Sequence, residues 1–95
     1  MGLLLTREKG QSILIGEEIE VTVSHFGGAH FTLDIKASER YGGNREWSGR
    51  VGDTLTLAGK EISITAADIT HGTGQLKLKV DAPKSVKIWR KELRQ

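Results

Sequence analysis

The stretch IEVTVSHFGGAHFTLDIKA, residues 19–37, decides the fold because apolar and polar side chains alternate on both sides of a glycine pair. Six apolar positions carry the pattern, three before the turn at Gly27 and Gly28 and three after it: Ile19, Val21, Val23, Phe31, Leu33 and Ile35. A period of two is typical of a strand with one buried face. The stretch therefore predicts two antiparallel strands joined by a tight turn.

Two shorter apolar segments precede this hairpin. Residues 3–7 read LLLTR and end in charge before a turn at Gly10, and residues 13–15 read ILI and are closed by Gly16. Each is of strand length and is bounded by glycine, which favours turns. The first 37 residues therefore predict four short strands.

The same order of segments returns in the second half of the chain. GDTLTL at residues 52–57 parallels GQSILI at residues 10–15, and ISITA at residues 62–66 parallels the strand that begins at Ile19. LKLKVDA at residues 76–82 parallels residues 31–37 after a longer turn at residues 71–74. This is an internal repeat, of about residues 3–40 and 50–93, within one domain of residues 1–95. Residues 38–52 form a connector rich in glycine and charge, with Tyr41 and Trp47 as its large apolar side chains, and we expect at most a residual strand there.

The repeat predicts an architecture. A small sheet with one apolar face must cover that face, and the twin sheet is the natural cover. We expect an all-β fold of two antiparallel sheets packed face to face, about 10 Å apart. Eight apolar residues are expected in the shared core: Ile19, Val21, Phe31, Leu33, Ile62, Ile64, Leu76 and Leu78.

Composition limits the function classes. The chain has no cysteine, which excludes disulfides, thiolate metal sites and a cysteine nucleophile, and no apolar run long enough to cross a membrane. His25, His30 and His71 have no ligand spacing, so no metal, cofactor or catalytic site is expected. We interpret the chain as a cytoplasmic, bacterial-type protein that is not an enzyme.

Positive charge is concentrated near the C-terminus. Residues 77–95 carry seven basic and two acidic side chains, whereas the net charge of the whole chain is +2. This asymmetry favours a polyanionic partner, nucleic acid before membrane. A basic tail that only aids solubility is the alternative that charge alone leaves open.

The basic region contains a strand pattern. In APKSVKIWR, residues 82–90, Val86 and Ile88 share one face while Lys87 and Trp89 share the other. Pro83 lacks a donor for the ladder and belongs at the edge or start of a strand. We expect residues 85–89 to form an edge strand whose outer side is open to a partner.

Both ends of the chain resemble the carbon storage regulator family. The motifs are LLLTREKG at residues 3–10 with ILIG at residues 13–16, and APKSVKIWRKEL at residues 82–93. Members of that family are bacterial RNA-binding regulators of translation, and the resemblance implies the same role for this chain. Family members are short chains of five strands and a helix that intertwine as homodimers. There, the first strand of one protomer and the last of the other bind a GGA-containing RNA loop. This sequence resembles that dimer written as one chain, which implies a monomer with one intact site, one degraded site and a short C-terminal helical tail.

The resemblance assigns site residues. The RNA site would comprise Leu5, Thr6, Arg7, Ala82, Pro83, Lys84, Val86, Lys87, Ile88, Trp89 and Arg90, and the degraded site Arg45 and Arg50. Gapless comparison of residues 37–46 with 82–91 places Arg45 beside Arg90. Two departures qualify the match, since Glu8 stands where the family usually has a basic residue and Trp89 where it usually has histidine.

Each site residue has a proposed role. Arg7 and Arg90 would hold phosphate or a guanine edge. Trp89 would stack on a base or else be a buried core residue. Lys84 and Lys87 would contact phosphate or remain solvated charges, and Leu5, Val86 and Ile88 are most simply core residues.

The partners remain open between two classes. One is RNA, as a GGA-containing messenger leader or small RNA. The other is protein, because an edge strand also accepts a peptide, so the chain could be a protein-binding module or an antagonist of a related regulator. Salt dependence separates them, because phosphate contacts weaken steeply with ionic strength.

Overall fold

The computed structural model describes residues 2–57, 61–70 and 72–91. These residues form nine strands, with one 3₁₀ turn at Glu39–Tyr41. The strands are β1 (Gly2–Glu8), β2 (Ser12–Ile15), β3 (Ile19–Gly27), β4 (His30–Ala37), β5 (Arg45–Arg50), β6 (Thr54–Leu57), β7 (Ile62–Thr70), β8 (Gln75–Asp81) and β9 (Ile88–Arg90). The expected C-terminal helical tail lies largely outside the described residues, and His71 lies wholly outside them.

The strands form two antiparallel sheets that exchange strands between the halves of the chain. Sheet A has the order β1-β8-β7-β6, and sheet B has the order β5-β4-β3-β2-β9. The first strand thus completes the sheet of the second half, and the last strand completes the sheet of the first half. The predicted fold class, all-β with two packed sheets from a duplication, is confirmed. In the part of the chain that the structure describes, no helix is long and apolar enough to cross a membrane.

The core lies between the sheets and is built by the period-two pattern. All eight predicted core residues are buried, and Ile19, the most exposed of them, is 3% exposed. Ile13, Ile15, Ile35 and Val80 add to the same cluster. Burying an aliphatic or aromatic side chain of this size contributes roughly 1.5–3 kcal/mol. The shared core therefore makes each sheet depend on the other.

The duplication extends to main-chain hydrogen bonds. The N–H of Gly10 donates to the carbonyl of Val23 at 2.8 Å, and the N–H of Gly52 donates to that of Ala66 at 2.7 Å. Both glycines have left-handed backbones, with φ of 90° and 102°. Only glycine adopts this conformation without steric cost. Gly10 and Gly52 are therefore equivalent positions of the two halves.

Side chains and irregularities repeat as well. The hydroxyl groups of Ser12 and Thr22 lie 2.7 Å apart, and those of Thr54 and Thr65 lie 2.8 Å apart. The long strands β3 and β7 each have a register shift at the same relative position, after Val23 and after Ala66. These pairs fix which residues of the two halves correspond.

The connector is more ordered than the sequence predicted. Instead of at most a residual strand, it contains the six-residue strand β5, which pairs with β4 along its whole length. Trp47 secures this strand, because its ring packs edge-on against Phe31 with centroids 4.9 Å apart and an interplanar angle of 71°. Thr32 and Ser48 add a hydroxyl contact of 2.9 Å. One anchored aromatic therefore holds a strand whose other side chains are polar or exposed.

Candidate nucleic-acid interface

One edge of each sheet contributes to a common groove. β1 is the outer strand of sheet A and β9 is the outer strand of sheet B. Between them lies a groove of about 230 Å³, lined by Gly2, Leu3, Ala82, Pro83, Lys84, Val86 and Ile88. We call this the β1–β9 groove. The two ends of the described chain thus meet on the surface, as the sequence predicted.

The strand at the C-terminal side begins later than expected. The predicted strand covered residues 85–89, whereas β9 is Ile88–Arg90. The cause is a turn in which the N–H of Val86 donates to the carbonyl of Pro83 at 2.9 Å. Pairing resumes at Lys87, whose carbonyl accepts from the N–H of Gly16 at 2.7 Å. No described strand pairs with the outer side of β9.

The remaining predicted site residues differ in accessibility. Leu5 and Ala82 are buried, Thr6 is half-buried, and Pro83, Lys84 and Lys87 are exposed. Val86 and Ile88 are half-buried and pack against the core. Four of the apolar members line the groove, namely Ala82, Pro83, Val86 and Ile88, whereas Leu5 belongs to the buried core. Lys84 also lines the groove, and both lysines are exposed to solvent.

Arg90 and Trp89 occupy opposite faces of β9. Arg90 is paired with Ile13, which is buried between the sheets, and Trp89 is paired with Leu14, which is half-buried on the outer face. Directly opposed residues of antiparallel strands project to the same side. Arg90 therefore projects toward the space between the two sheets, which we call the seam. Both Arg90 and Trp89 are half-buried rather than enclosed.

Arg7 does not have the accessible position expected of a phosphate contact. It is 4% exposed, and its Nε donates to the carbonyl of Thr6 at 2.9 Å. Its Nη1 donates to the carbonyl of Ser12 at 3.4 Å, which connects β1 of sheet A to β2 of sheet B. Ser12 precedes Ile13, the residue paired with Arg90. Arg7 and Arg90 therefore approach the same point of β2, but the Arg7 guanidinium faces the interior.

Arg45 is not the counterpart of Arg90. Arg45 lies in β5, opposite Ile35 on β4, and β5 stands beside β4 as β1 stands beside β8. It thus belongs to the inner copy of the first strand, so the gapless comparison is wrong beyond residue 41. That comparison failed because residues 42 and 43 turn the chain away before a last strand can form.

Matching turns define the residues of the inner first strand. The N–H of Gln11 donates to the carbonyl of Glu8 at 3.0 Å, and the N–H of Asp53 donates to that of Arg50 at 2.9 Å. Arg50 is therefore the counterpart of Glu8, and Gly49 is the counterpart of Arg7. At Gly49 an added Cβ would lie 2.8 Å from the Asp53 Oδ2 and 3.2 Å from the Phe31 Cζ. The second copy has neither the buried arginine nor room for one.

The sequence contained a signal for β5 that the prediction did not use. The segment GDTLTL at residues 52–57 was aligned with GQSILI at residues 10–15. Continuing that alignment toward the N-terminus sets residues 45–50 beside residues 3–8, the first strand. The repeat therefore indicated a strand where composition suggested a connector.

Comparison with known proteins gives one family. The family model CsrA, described as the global regulator protein family, matches residues 2–43 and 48–95. The two segments correspond to two tandem units. No solved structure matches the chain.

Proposed function

Because the chain belongs to the CsrA global regulator family, whose members are RNA-binding regulators of translation, we propose that it binds a GGA-containing RNA loop at the β1–β9 groove. The observation that carries the proposal is that an outer strand of each sheet contributes to one groove, beside exposed lysines. Messenger leaders and small RNAs that display such a loop are the proposed ligands. As a member of a family of regulators, the chain would act by binding rather than by catalysis.

The groove offers the contacts that single-stranded loops need. Unstacked bases are bound through their edges and faces, and open strands supply main-chain donors and acceptors for the edges. Val86 and Ile88 provide an apolar wall, and Arg90 lies at the seam with a guanidinium suited to the O6 and N7 of guanine. Lys84 and Lys87 would contact phosphates.

Trp89 and Arg7 would support the site in different ways. Trp89 lies on the outer face of β9 and would stack on a base that leaves the groove, a contact worth about 1–3 kcal/mol. Arg7 is buried, so we propose that it positions β1 against β2 rather than touching RNA.

We propose one RNA site per chain. The inner copy of the first strand has Gly49 in place of Arg7, and the described residues contain no inner copy of the last strand. Arg45 and Arg50 remain as exposed cations on β5, without the second edge that would complete a groove. The exchange of strands within one chain also makes a monomer the proposed state, which sedimentation would test.

The test compares two arginines in an RNA titration. A GGA hairpin and a hairpin with a scrambled loop are titrated with the wild type, Arg90→Ala and Arg45→Ala. Loss of a bidentate guanine contact costs about 1–3 kcal/mol, so Arg90→Ala should weaken the GGA hairpin roughly 5- to 150-fold and reduce its preference over the scrambled loop. Arg45→Ala should remain within about twofold of the wild type, since an isolated exposed cation contributes little.

Two results would contradict the proposal. Equal losses for both arginine variants would remove the single-site interpretation. Binding of the hairpin that does not weaken between low and high salt would point to the protein-binding alternative, because phosphate contacts require salt dependence.

A further inference from the structure

At one edge, sheet B has a strand for which sheet A has no described equivalent. In sheet B, strand β2 is flanked by β3 on one side and by β9 on the other. The equivalent strand of sheet A is β6, which pairs with β7 and has no described strand on its other side. Sheet A is consequently one strand short of its twin at this place.

The chain begins to fill this edge and then turns away. Tyr41 and Val86 occupy equivalent positions after the fourth strand of each half, because the N–H of each donates to the carbonyl three residues earlier, at 3.0 and 2.9 Å. Both pack against the core. After Val86 the chain continues into β9, whereas after Tyr41 it passes through Gly42 and Gly43, with φ of 98° and 73°. Two successive left-handed residues redirect the backbone toward β5, so these residues do not supply the missing strand.

The acceptor strand itself is intact. β6 has the register of its twin, with Leu55 opposite Ile64 and Leu57 opposite Ile62. Its main-chain direction follows from β2, where the N–H of Gly16, just after the strand, donates to the carbonyl of Lys87, just before β9. Alternate residues of a strand direct their main-chain groups to the same side, so Leu14, two residues before Gly16, also faces β9. Thr56 is the counterpart of Leu14 and therefore directs its N–H and carbonyl to the edge of β6 that has no described partner strand.

The open edge also leaves apolar surface uncovered. Ile13, on the covered strand β2, is 1% exposed, whereas its counterpart Leu55 is only half-buried. A strand laid along β6 would cover Leu55 and use the main-chain groups of Thr56. Both contributions are those that drive peptide addition to a sheet edge.

Charge distinguishes this edge from the other three. β1 contains the exposed Glu8, β5 contains three charged residues, and β9 contains Arg90, whereas β6 reads TLTL. Charged side chains on edge strands discourage pairing with other chains, and β6 has none. The edge is therefore chemically suited to accept an extended polypeptide and unsuited to attract RNA.

We propose that the β6 edge binds an extended segment of a partner protein, which adds antiparallel to β6 as the fifth strand of sheet A. The equivalent edge of sheet B, along β2, shows which kind of segment fits. There, residues 86–90 place Val86 and Ile88, two positions apart, against the core. The partner segment would present apolar side chains with the same spacing of two. This protein contact is separate from the β1–β9 groove.

The probe is a peptide with the sequence of residues 84–91, KSVKIWRK, which fits the twin edge in the folded chain. Its affinity for the full-length protein is measured by anisotropy beside a scrambled peptide of the same composition. Amide hydrogen exchange locates the contact, with new protection expected at Thr56. The ordered peptide should bind at least about tenfold more tightly than the scrambled one, a difference of about 1.4 kcal/mol.

Two variants of the edge serve as controls. Thr56→Pro removes the outward N–H and obstructs strand addition while leaving the donors to β7 in place, and it should weaken the peptide at least tenfold. Leu55→Lys places a charge where the partner's apolar side chain would pack, and it should weaken the peptide similarly even if the proline variant folds poorly. Both variants should bind the GGA hairpin as the wild type does, so failure of this proposal and failure of the RNA proposal are distinguishable.

Three results would overturn the inference. These are equal binding of the ordered and scrambled peptides, peptide protection at β1 or β9 instead of β6, and self-association of the free protein that Leu55→Lys abolishes. The last result would assign the edge to a second copy of this chain.

Discussion

Replacing Arg7 by methionine should reduce stability more than RNA affinity. The side chain is 4% exposed, and its guanidinium donates to carbonyl groups of Thr6 and Ser12, on β1 and β2. Methionine keeps an unbranched apolar stem of similar length but provides no donor. The variant therefore removes the polar link between the sheets while largely preserving packing.

The expected loss follows from these contacts. A hydrogen bond to a charged group contributes roughly 1.5–3 kcal/mol when its geometry is good. The contact with Ser12 is 3.4 Å long and weaker, and methionine avoids the cost of burying a cation. We expect the free energy of unfolding to fall by about 1–3 kcal/mol. For a domain of this size that lowers the Tm by roughly 5–15 °C.

Thermal and urea unfolding measure the first quantity, and hairpin titration at several salt concentrations measures the second. Measured where both proteins are fully folded, Arg7→Met should keep its affinity within about threefold and keep the salt slope of the wild type. Arg90→Met is the matched control and should show the reverse, with normal stability and weak binding. The reasoning is refuted if Arg7→Met retains its Tm but loses affinity, and if its slope of log K against log salt concentration becomes less steep by about 0.7. That difference of about 0.7 is the value for one phosphate contact to a single strand.

Two further substitutions test the packing beside β5. Gly49→Ala should lower the free energy of unfolding by about 1–3 kcal/mol in urea melts, because its Cβ would lie 2.8 Å from the Asp53 Oδ2, which already accepts from the Arg50 N–H. The control Gly72→Ala, with open space around the glycine, should change the free energy of unfolding by less than about 0.5 kcal/mol. Equal effects of the two substitutions would contradict the steric argument. Phe31→Ala should cost about 3–5 kcal/mol and red-shift the tryptophan emission as Trp47 loses its edge contact, so a stable variant with unchanged fluorescence would show that β5 is held by other contacts.

The fold was predictable where burial dictates the residue. Alternating apolar positions fixed the faces of β3, β4, β7 and β8, and the repeat then required two sheets with a common core. β5 was missed because it is an outer strand with mostly exposed side chains, and Trp47 is its one large apolar residue. Outer strands need little apolar periodicity, so composition described this one as a connector.

The proximity of the first and last strands was predictable, but the orientation of each side chain was not. The resemblance brought the first and last strands together, and the structure has them lining one groove. The burial of Arg7 follows from its sharing a face with Leu5, a period-two relation that the sequence already contained. That a cation would follow this rule depends on carbonyl groups of β2, which sequence patterns do not locate. That the described chain after Tyr41 turns toward β5 and forms no inner last strand there depends on the backbone angles of Gly42 and Gly43, which are also set by the surroundings.

The exchange of strands between the sheets also constrains when the protein can fold. Leu5 is paired with Leu78, and the N-terminal half obtains its outer strand β9 from residues 88–90. Closing such long loops is entropically costly and slows folding. During synthesis, the first half would emerge with the apolar face of its hairpin exposed to water until the strands of the second half follow it. Sheet A therefore cannot be completed before residues 75–81 have been made, and sheet B cannot be completed before residues 88–90 have been made.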